Sequence, residues 1–482
     1  MELPQDIEQL RNKVTRFMLK EKILLLNPPG NHLYLRDYYC SKVSQANYIN
    51  HPIDLLIQSG YLASKFDVLL IDAIVSRLNK EACLDKIKQS GASIILLLCG
   101  AASFEEDISF VEELRQMGDY RIIASGDIMR ENPEEKLRAY PSLEAILLDF
   151  STPDLLNYLS YPDNRARNMV YRKKRVIETG EHLPSSGQYE IPIPCHELFI
   201  DLGYRYPFVR HKRFATVLTD FGCPFHCNFC IMSTLGFKYR WVENVLEELR
   251  YIKSLGIREL FFLDQSFGVV KTRSIELCQK MIEAELNLGW TCFSRSDILD
   301  EEGLRLMKQS GCHTIIMGVE SGSAEILEKY RKGYTKEQVK EAFSMCRRLG
   351  IETVGTFILG LPDETMTTAS ETMRFIKELN CDFASFNVAV PRRGTPLRAQ
   401  ALTEGLIDSS FDVMDQSGTS IAMNTKYLSK EQVLALRRQA VQNFYLRPEY
   451  LLKRLVSVNS YSQLLNFISQ GISLLKRTWG KN

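Results

Sequence analysis

From residue 22 to about residue 390, short apolar runs alternate with stretches of helical period. No other pattern in the chain narrows its fold as far, because alternating strand and helix marks an α/β protein. Early in the chain, Lys22–Leu26, Asp67–Asp72, Ser93–Leu98, Arg121–Ser125 and Ala145–Asp149 read as short buried strands. Amphipathic helical stretches such as Pro52–Ala63 and Phe104–Met117 lie between them. Five strands with helical crossovers predict a doubly wound, Rossmann-like open sheet, whose ligands bind outside the carboxyl ends of the strands.

From about Asp154 to Phe208 the periodicity fades while Pro, Ser, Tyr and basic residues accumulate. This stretch reads as a long interdomain connection packed on both neighbours, since compact domains rarely hold loops of that length. A near-repeat follows, in which a helix ends at Gly and a buried strand begins. Its copies are SLG-IRELFFLD (254–264), NLG-WTCFSRSD (287–297), QSG-CHTIIMGVE (309–320) and RLG-IETVGTFILG (348–360). Each Gly suits the left-handed residue that ends a helix, and Thr335 with Gln338 forms a candidate capping box. With a first strand at Ala215–Asp220 and a last at Asp382–Val390, six βα-like units result. Six are too few for a closed eight-stranded barrel, so a partial, open barrel is expected. Beyond about residue 405, Ser429–Leu446 and Ser460–Lys476 read as amphipathic helices of a small C-terminal region. Leu464–Leu475 is read as core-facing in preference to a membrane-surface contact. The expected layout is a Rossmann-like unit over 1–153, a linker over 154–208, a partial barrel over 209–405 and a helical region over 406–482.

Composition excludes some function classes. The net charge of +1 gives no basic surface for nucleic acid, which needs clustered Lys and Arg. The densest basic run, Arg172–Arg175, sits in a polar stretch and reads as a solvated face. The start MELPQDIEQLRNK lacks the basic beginning and apolar run of a secretory signal, and no segment has the ~18 consecutive apolar residues of a membrane helix. Most of the twelve Cys are scattered singly in apolar segments, a usage that points to the reducing cytoplasm.

Three Cys stand apart. Cys223, Cys227 and Cys230 have the spacing C-x3-C-x2-C directly after a strand, so one short loop can carry three thiolates. A cubane iron–sulfur cluster takes four ligands, and no fourth Cys follows at ligand spacing, so one iron is left for an exogenous ligand. The competing reading is a structural zinc loop with His226 or a distant Cys as the fourth ligand. That loop normally adds a second Cys or His pair, which is missing here, and active-site loops gather at the carboxyl ends of barrel strands.

The segment from about Phe214 to Ala399 resembles the radical S-adenosylmethionine superfamily, whose signature is this Cys spacing with an aromatic before the last Cys, here Phe229. Gly318–Gly322, Gly355–Glu364 and Pro391–Leu397 resemble the family's fourth-, fifth- and sixth-strand motifs in order. The resemblance implies a 4Fe-4S cluster on the three Cys and S-adenosylmethionine chelating the open iron. The reduced cluster would then cleave the cofactor to a 5′-deoxyadenosyl radical, with an external donor such as flavodoxin or ferredoxin supplying the electron. By position, Asp264 and Gln265 would contact the methionine amino group, although the GGE tripeptide often found there is missing. Arg295, beside Ser294, would pair with the carboxylate, Glu320 with ribose or the amino group, and Leu359 and Gly360 would flank adenine.

A doubly wound domain ahead of such a barrel resembles the cobalamin-binding radical enzymes. Asn27 and Pro28 look like their strand-end turn, and Ser125 and Gly126 stand where a Gly-Gly pair is common. There is no D-x-H-x-x-G motif, which argues against a lower axial His; His32 and His51 read as ordinary loop residues. The Tyr-rich stretch Asn31–Tyr48 is long for a βα loop and reads as a cavity lining. The resemblance implies a cobalamin-dependent methyltransferase acting on an unactivated centre of a small metabolite or lipid. An oxidative cyclase or ring-rearranging enzyme is the alternative within the class, and a non-enzymatic zinc or cluster protein is the alternative outside it.

Overall fold

A computed structural model describes residues 20–39, 41–44, 48–161, 166–174, 176–181, 185–411, 423–448 and 450–452. The N-terminal stretch 1–13 and the expected helix Ser460–Lys476, with Leu464–Leu475 inside it, lie outside the described residues.

Strand formation follows the apolar runs. The first sheet contains β1 (Lys22–Asn27), β2 (Asp67–Asp72), β3 (Ile94–Leu98), β4 (Arg121–Ser125), β5 (Ala145–Leu147), β6 (Met169–Lys173) and β7 (Val176–Thr179), in the order β2-β1-β3-β4-β5-β6-β7. The first five are parallel, with order 2-1-3-4-5. Helices cover both faces. Ile23 and Leu25 point into one apolar cluster, while Leu24 and Leu26 point into another, as the period of two requires. β6 and β7 add an antiparallel hairpin. They come from the polar stretch that reads as linker in the sequence, and Arg172 and Lys173 of its basic run lie on β6. β6 buries only Met169, Val170 and Tyr171, and β7 at the sheet edge is part-exposed, so neither carries a long apolar run.

The second sheet contains β9 (Ala215–Val217), β12 (Glu259–Phe262), β13 (Gly289–Ser294), β14 (Cys312–Glu320), β15 (Glu352–Leu359) and β16 (Phe383–Val388), all parallel and adjacent in chain order. Its outer face packs on helices Val242–Ser254, Lys271–Glu283, Lys336–Arg348 and Met366–Leu379 in one large apolar core. The sheet is open, with β9 and β16 as its edges. An exposed edge invites further strand pairing. Here Tyr445, at the end of helix Lys430–Tyr445, covers β16: its hydroxyl donates to the Ala384 carbonyl at 2.6 Å and accepts from the Ala384 amide at 3.3 Å. Arg437 donates to the Phe386 carbonyl at 2.9 Å. The expected capping box at Thr335/Gln338 is formed, and the structure adds another at Ser429/Gln432 of the last helix.

Between the two sheets lies a third of three strands, in which β8 (Ser185–Tyr189) and β10 (Asp220–Gly222) flank β11 (Gly236–Arg240). One apolar cluster runs from Ile23, Tyr38 and Phe150 through to Phe221, Phe261 and Leu263, so both large sheets share a core. Polar contacts cross the same boundary. Lys238 pairs with Asp149 at 2.8 Å with both side chains buried, and breaking such a pair costs about 3–5 kcal/mol. His51, which reads as a loop residue in the sequence, is fully buried and bonds Thr216 Oγ1 at 2.9 Å.

Burial, with a smaller contribution from His196, pulls the His51 pKa down from 6.5 to about 3. The unfolded chain takes up this proton below pH 6.5, and the folded chain only near pH 3. Stability therefore falls as pH drops through that window, by about 1.4 kcal/mol per unit from this group alone. Gln at position 51 can bond Thr216 without titrating. Urea midpoints measured from about pH 6 down to about pH 4 should give His51→Gln an acid limb shallower by one proton; parallel limbs would show that His51 stays protonated in the fold.

Candidate active site

The loop carrying the three Cys leaves β9 through a turn fixed by one carboxylate. Asp264, at the end of β12, accepts from the Thr219 amide at 2.6 Å, the Thr219 hydroxyl at 2.5 Å and the Asp220 amide at 3.1 Å. Arg273 donates to the Thr219 carbonyl at 2.9 Å and the Arg240 carbonyl at 2.7 Å. The chain then pairs as β10 with β11, and Gly222 sits at φ +78. A Cβ there would lie 1.9 Å from the Gly236 carbonyl oxygen, so the residue just before Cys223 must be glycine. Farther along, the Asn228 amide donates to the Tyr330 carbonyl at 3.1 Å, and the Asn228 carbonyl accepts from Leu397 at 3.0 Å. The loop is thus tied to the fourth and sixth strand ends.

On this frame the Cys227 side chain is buried, and Cys223 and Cys230 are half-buried. Cys223 Sγ lies 3.5 Å from Ser266 Oγ, and Arg295 Nη1 donates to Cys227 Sγ at 3.7 Å. Every described cysteine is a thiol. Burial, together with the neighbouring Cys sulfurs, pushes the Cys223 thiol up and Cys230 up to about 12. Such sulfurs ionise readily only with a compensating positive charge, which coordinated metal supplies. A single zinc ion gathers its ligands within about 2.3 Å. Among the described residues no three His, Cys, Asp or Glu side chains converge in that way, and His226 is exposed. A cubane takes one thiolate per iron, and three Cys on one short loop supply that donor set.

The other sequence-predicted residues divide by what their atoms already do. Asp264 is spent on the turn, and Ser294 donates to the Phe267 carbonyl at 2.8 Å, so both are structural supports in this geometry. Leu359 faces the outer core while Ile358 packs on another cluster, because alternate residues of a strand face opposite sides. Gly360 donates its amide to Glu364 Oε2 at 2.6 Å. Gln265 remains half-buried, with its amide nitrogen 3.4 Å from the Leu263 carbonyl. Phe229 packs against Leu361 and Leu397. Glu320 stands at φ +63 after a register shift in β14 and pairs with Lys332 at 2.7 Å. Lys332, Ser266, Phe225 and Tyr334 were missed by sequence reasoning; only the basic doublet of Lys329–Tyr334 (KYRKGY) hints at the first, and no spacing rule places it.

In the other sheet, Asn27 and Pro28 stand at the carboxyl end of β1, and Ser125 and Gly126 at that of β4, with β3 between them. The chain itself covers them. Arg36 is buried and donates to Asn27 Oδ1 at 2.9 Å, the Pro28 carbonyl at 2.8 Å and Asp107 at 2.6 Å. Asn27 also donates to Asp72 at 3.0 Å, and Ser125 lies 3.4 Å from Asp54. A Cβ on Gly126 would meet the Cys99 carbonyl oxygen at 2.0 Å, so close backbone packing accounts for this glycine. Polar atoms between this layer and the cluster loop are not satisfied. Tyr39 OH, Tyr189 OH and Asp220 Oδ1 are buried with no hydrogen-bond partner. Each such atom costs about 1–3 kcal/mol while it has no partner.

Glu364 offers a check on the fifth-strand loop. Burial, opposed by the Gly360 bond, pushes its pKa from 4.5 up to about 7, and its Oε1 has no partner. The folded chain holds this proton while the unfolded chain releases it, so stability falls as pH rises from 4.5 to 7. Glu364→Gln should melt a few degrees above the parent at about pH 8 and alongside it near pH 4; a gap that ignores pH would refute the assignment.

Residues 218–376 match the Radical SAM superfamily. An uncharacterized methyltransferase of Pyrococcus horikoshii is 29% identical over 448 residues, spanning 90% of this chain and 94% of that protein. Two solved structures share the whole arrangement. TsrM, a radical S-adenosylmethionine methyltransferase of Kitasatospora setae with cobalamin and a 4Fe-4S cluster bound, superposes with a TM-score of 0.67 at 14% identity, over 95% of this chain and 100% of that one. OxsB, a cobalamin-dependent S-adenosylmethionine radical enzyme, gives a TM-score of 0.69 at 18% identity, over 96% of this chain and 72% of that one. At these identities the likeness is one of fold. The thiol loop and the six-stranded sheet agree with the family match, and the chain carries a radical SAM domain over residues 218–376.

Proposed function

We propose that this enzyme is a cobalamin-dependent radical methyltransferase acting on an unactivated carbon or phosphorus centre of a small metabolite or lipid. One observation carries the reading: Cys223 and Cys230 pack against the apolar cluster that includes Leu98 and Phe150, at and just past strand ends of the 2-1-3-4-5 sheet. Ligands of such sheets sit at those strand ends. The amide-rimmed corrin of cobalamin suits the unpartnered Tyr39, Tyr189 and Asp220. The full-length similarity to a methyltransferase supports methyl transfer as the outcome.

When bound, the cluster supplies the electron that cleaves S-adenosylmethionine, and cobalamin carries the methyl group. The chain's own residues hold and orient. Cys223, Cys227 and Cys230 ligate three irons and leave the fourth open. Asp264 and Arg273 hold the loop at its root. Gln265 and the Glu320–Lys332 pair stand at the mouth, where they can take the charged amino and carboxylate ends of the methionine moiety. The same reading gives residues 1–153 to the cobalamin unit, 209–405 to the radical barrel and 406–482 to a C-terminal region, with a flavodoxin or ferredoxin as external donor. No helix of the described residues is long and apolar enough to cross a membrane.

Anaerobic reconstitution of the full chain should yield about four irons and four sulfides, and Cys→Ser at 223, 227 or 230 should abolish the uptake. Hydroxocobalamin should remain bound after desalting, by absorbance. With methyl-labelled S-adenosylmethionine and a metabolite extract, label should enter a product. Stoichiometric zinc without iron would sink the radical reading. Cofactor cleavage without methyl transfer would favour the cyclase or rearrangement alternative.

A further inference from the structure

Arg295 follows β13 at the mouth of the sheet, where a guanidinium free to turn would be the natural partner of a ligand carboxylate. It is not free. Nε donates to Asp297 Oδ1 at 3.0 Å, and Nη2 donates to Asp297 Oδ2 and to the Lys332 carbonyl, both at 2.9 Å. Nη1 donates to Cys227 Sγ at 3.7 Å. The guanidinium lies flat on Phe225, its carbon 3.6 Å from the ring centroid, and the residue is 5% exposed. Arg offers five N–H donors in a rigid fork, so four are already committed and one Nη1 hydrogen is left.

We infer that Arg295 is a positioning residue for the cluster: it holds Cys227 through an N–H···S bond and sets how readily the cluster accepts its electron. The inference rests on the radical reading above. Hydrogen bonds to the sulfurs are among the determinants of an iron–sulfur potential. A donor carrying full positive charge stabilises the reduced, more negative state most. Asp297 tempers that charge, and its two-point grip keeps the fork aimed at the sulfur. Lys332 extends the arrangement, since its carbonyl anchors Arg295 while its ammonium pairs with Glu320. Cys227, Arg295, Lys332 and Glu320 therefore form one chain of contacts from cluster ligand to cofactor-facing mouth.

The test is a redox titration of the anaerobically reconstituted full chain, followed by the paramagnetic signal of the reduced cluster. Arg295→Gln should keep the iron content of the parent, because all three Cys remain. Its midpoint should move negative by ~60 mV, which at fixed potential is a tenfold loss in the reduced-to-oxidised ratio of a one-electron couple. Asp297→Asn removes the counter-charge and should move the midpoint positive. Arg295→Lys keeps charge without the fork and should fall between the parent and the Gln variant. Equal midpoints for the parent and Arg295→Gln at equal iron content would overturn the proposal. If Arg295→Gln loses iron, the other two decide: parent-like midpoints in both would overturn it equally. A parent chain that takes up no iron would instead remove the radical reading underneath.

Discussion

Everything at the mouth of the barrel hangs on the Asp264 carboxylate. It is wholly buried, and its partners are two backbone amides and a hydroxyl at the root of the thiol loop. Burying a carboxylate is costly unless its lone pairs are met, and here burial pushes its pKa up while the Thr219 and Arg273 contacts pull against it. The geometry that satisfies the charge is also the geometry that sends the chain from β9 into β10, and so aims Cys223 toward the sheet's interior. A small displacement at this root would be carried to all three sulfurs, because the loop downstream is tied at Gly236, Tyr330 and Leu397.

The second constraint is the join between the two large sheets. An open six-stranded sheet has an unfilled side, and the chain fills it with its own N-terminal unit. Phe261 and Leu263 share a cluster with Tyr38 and Phe150, and the Lys238–Asp149 pair pins the thiol hairpin to the end of β5. Asp149 is held below its ordinary pKa against the cost of burial chiefly by Lys238. The two sheets therefore cannot shift independently without breaking a buried charge contact and a shared apolar core.

Much of this was legible locally. Gly-ended helices followed by apolar strands announced six parallel strands, and Thr335 with Gln338 announced a helix start, since each signal depends only on residues a few positions apart. The Cys spacing was legible for the same reason. The hairpin at Met169–Thr179 was not, because edge strands with a wet face carry no apolar alternation strong enough to read. That Leu359 faces the outer core was not legible, because inside and outside on a strand depend on parity counted from a register that the sequence does not state. The hydrogen bonds of Asp264 and Ser294 to backbone were not legible either, since their partners come from other parts of the chain.

The sequence by itself determined the α/β class, the number of parallel strand units and the grouping of three thiols on one loop, since strand and helix periods and Cys spacing are short-range properties. Only the tertiary structure decided which polar side chains are already occupied. Hydrogen-bond partners come from residues distant in the chain: Arg295 meets Cys227 and Lys332, Arg36 meets Asp107, and His51 meets Thr216. A buried polar group takes whichever partner the packing brings within reach, and that is fixed by how the two sheets meet.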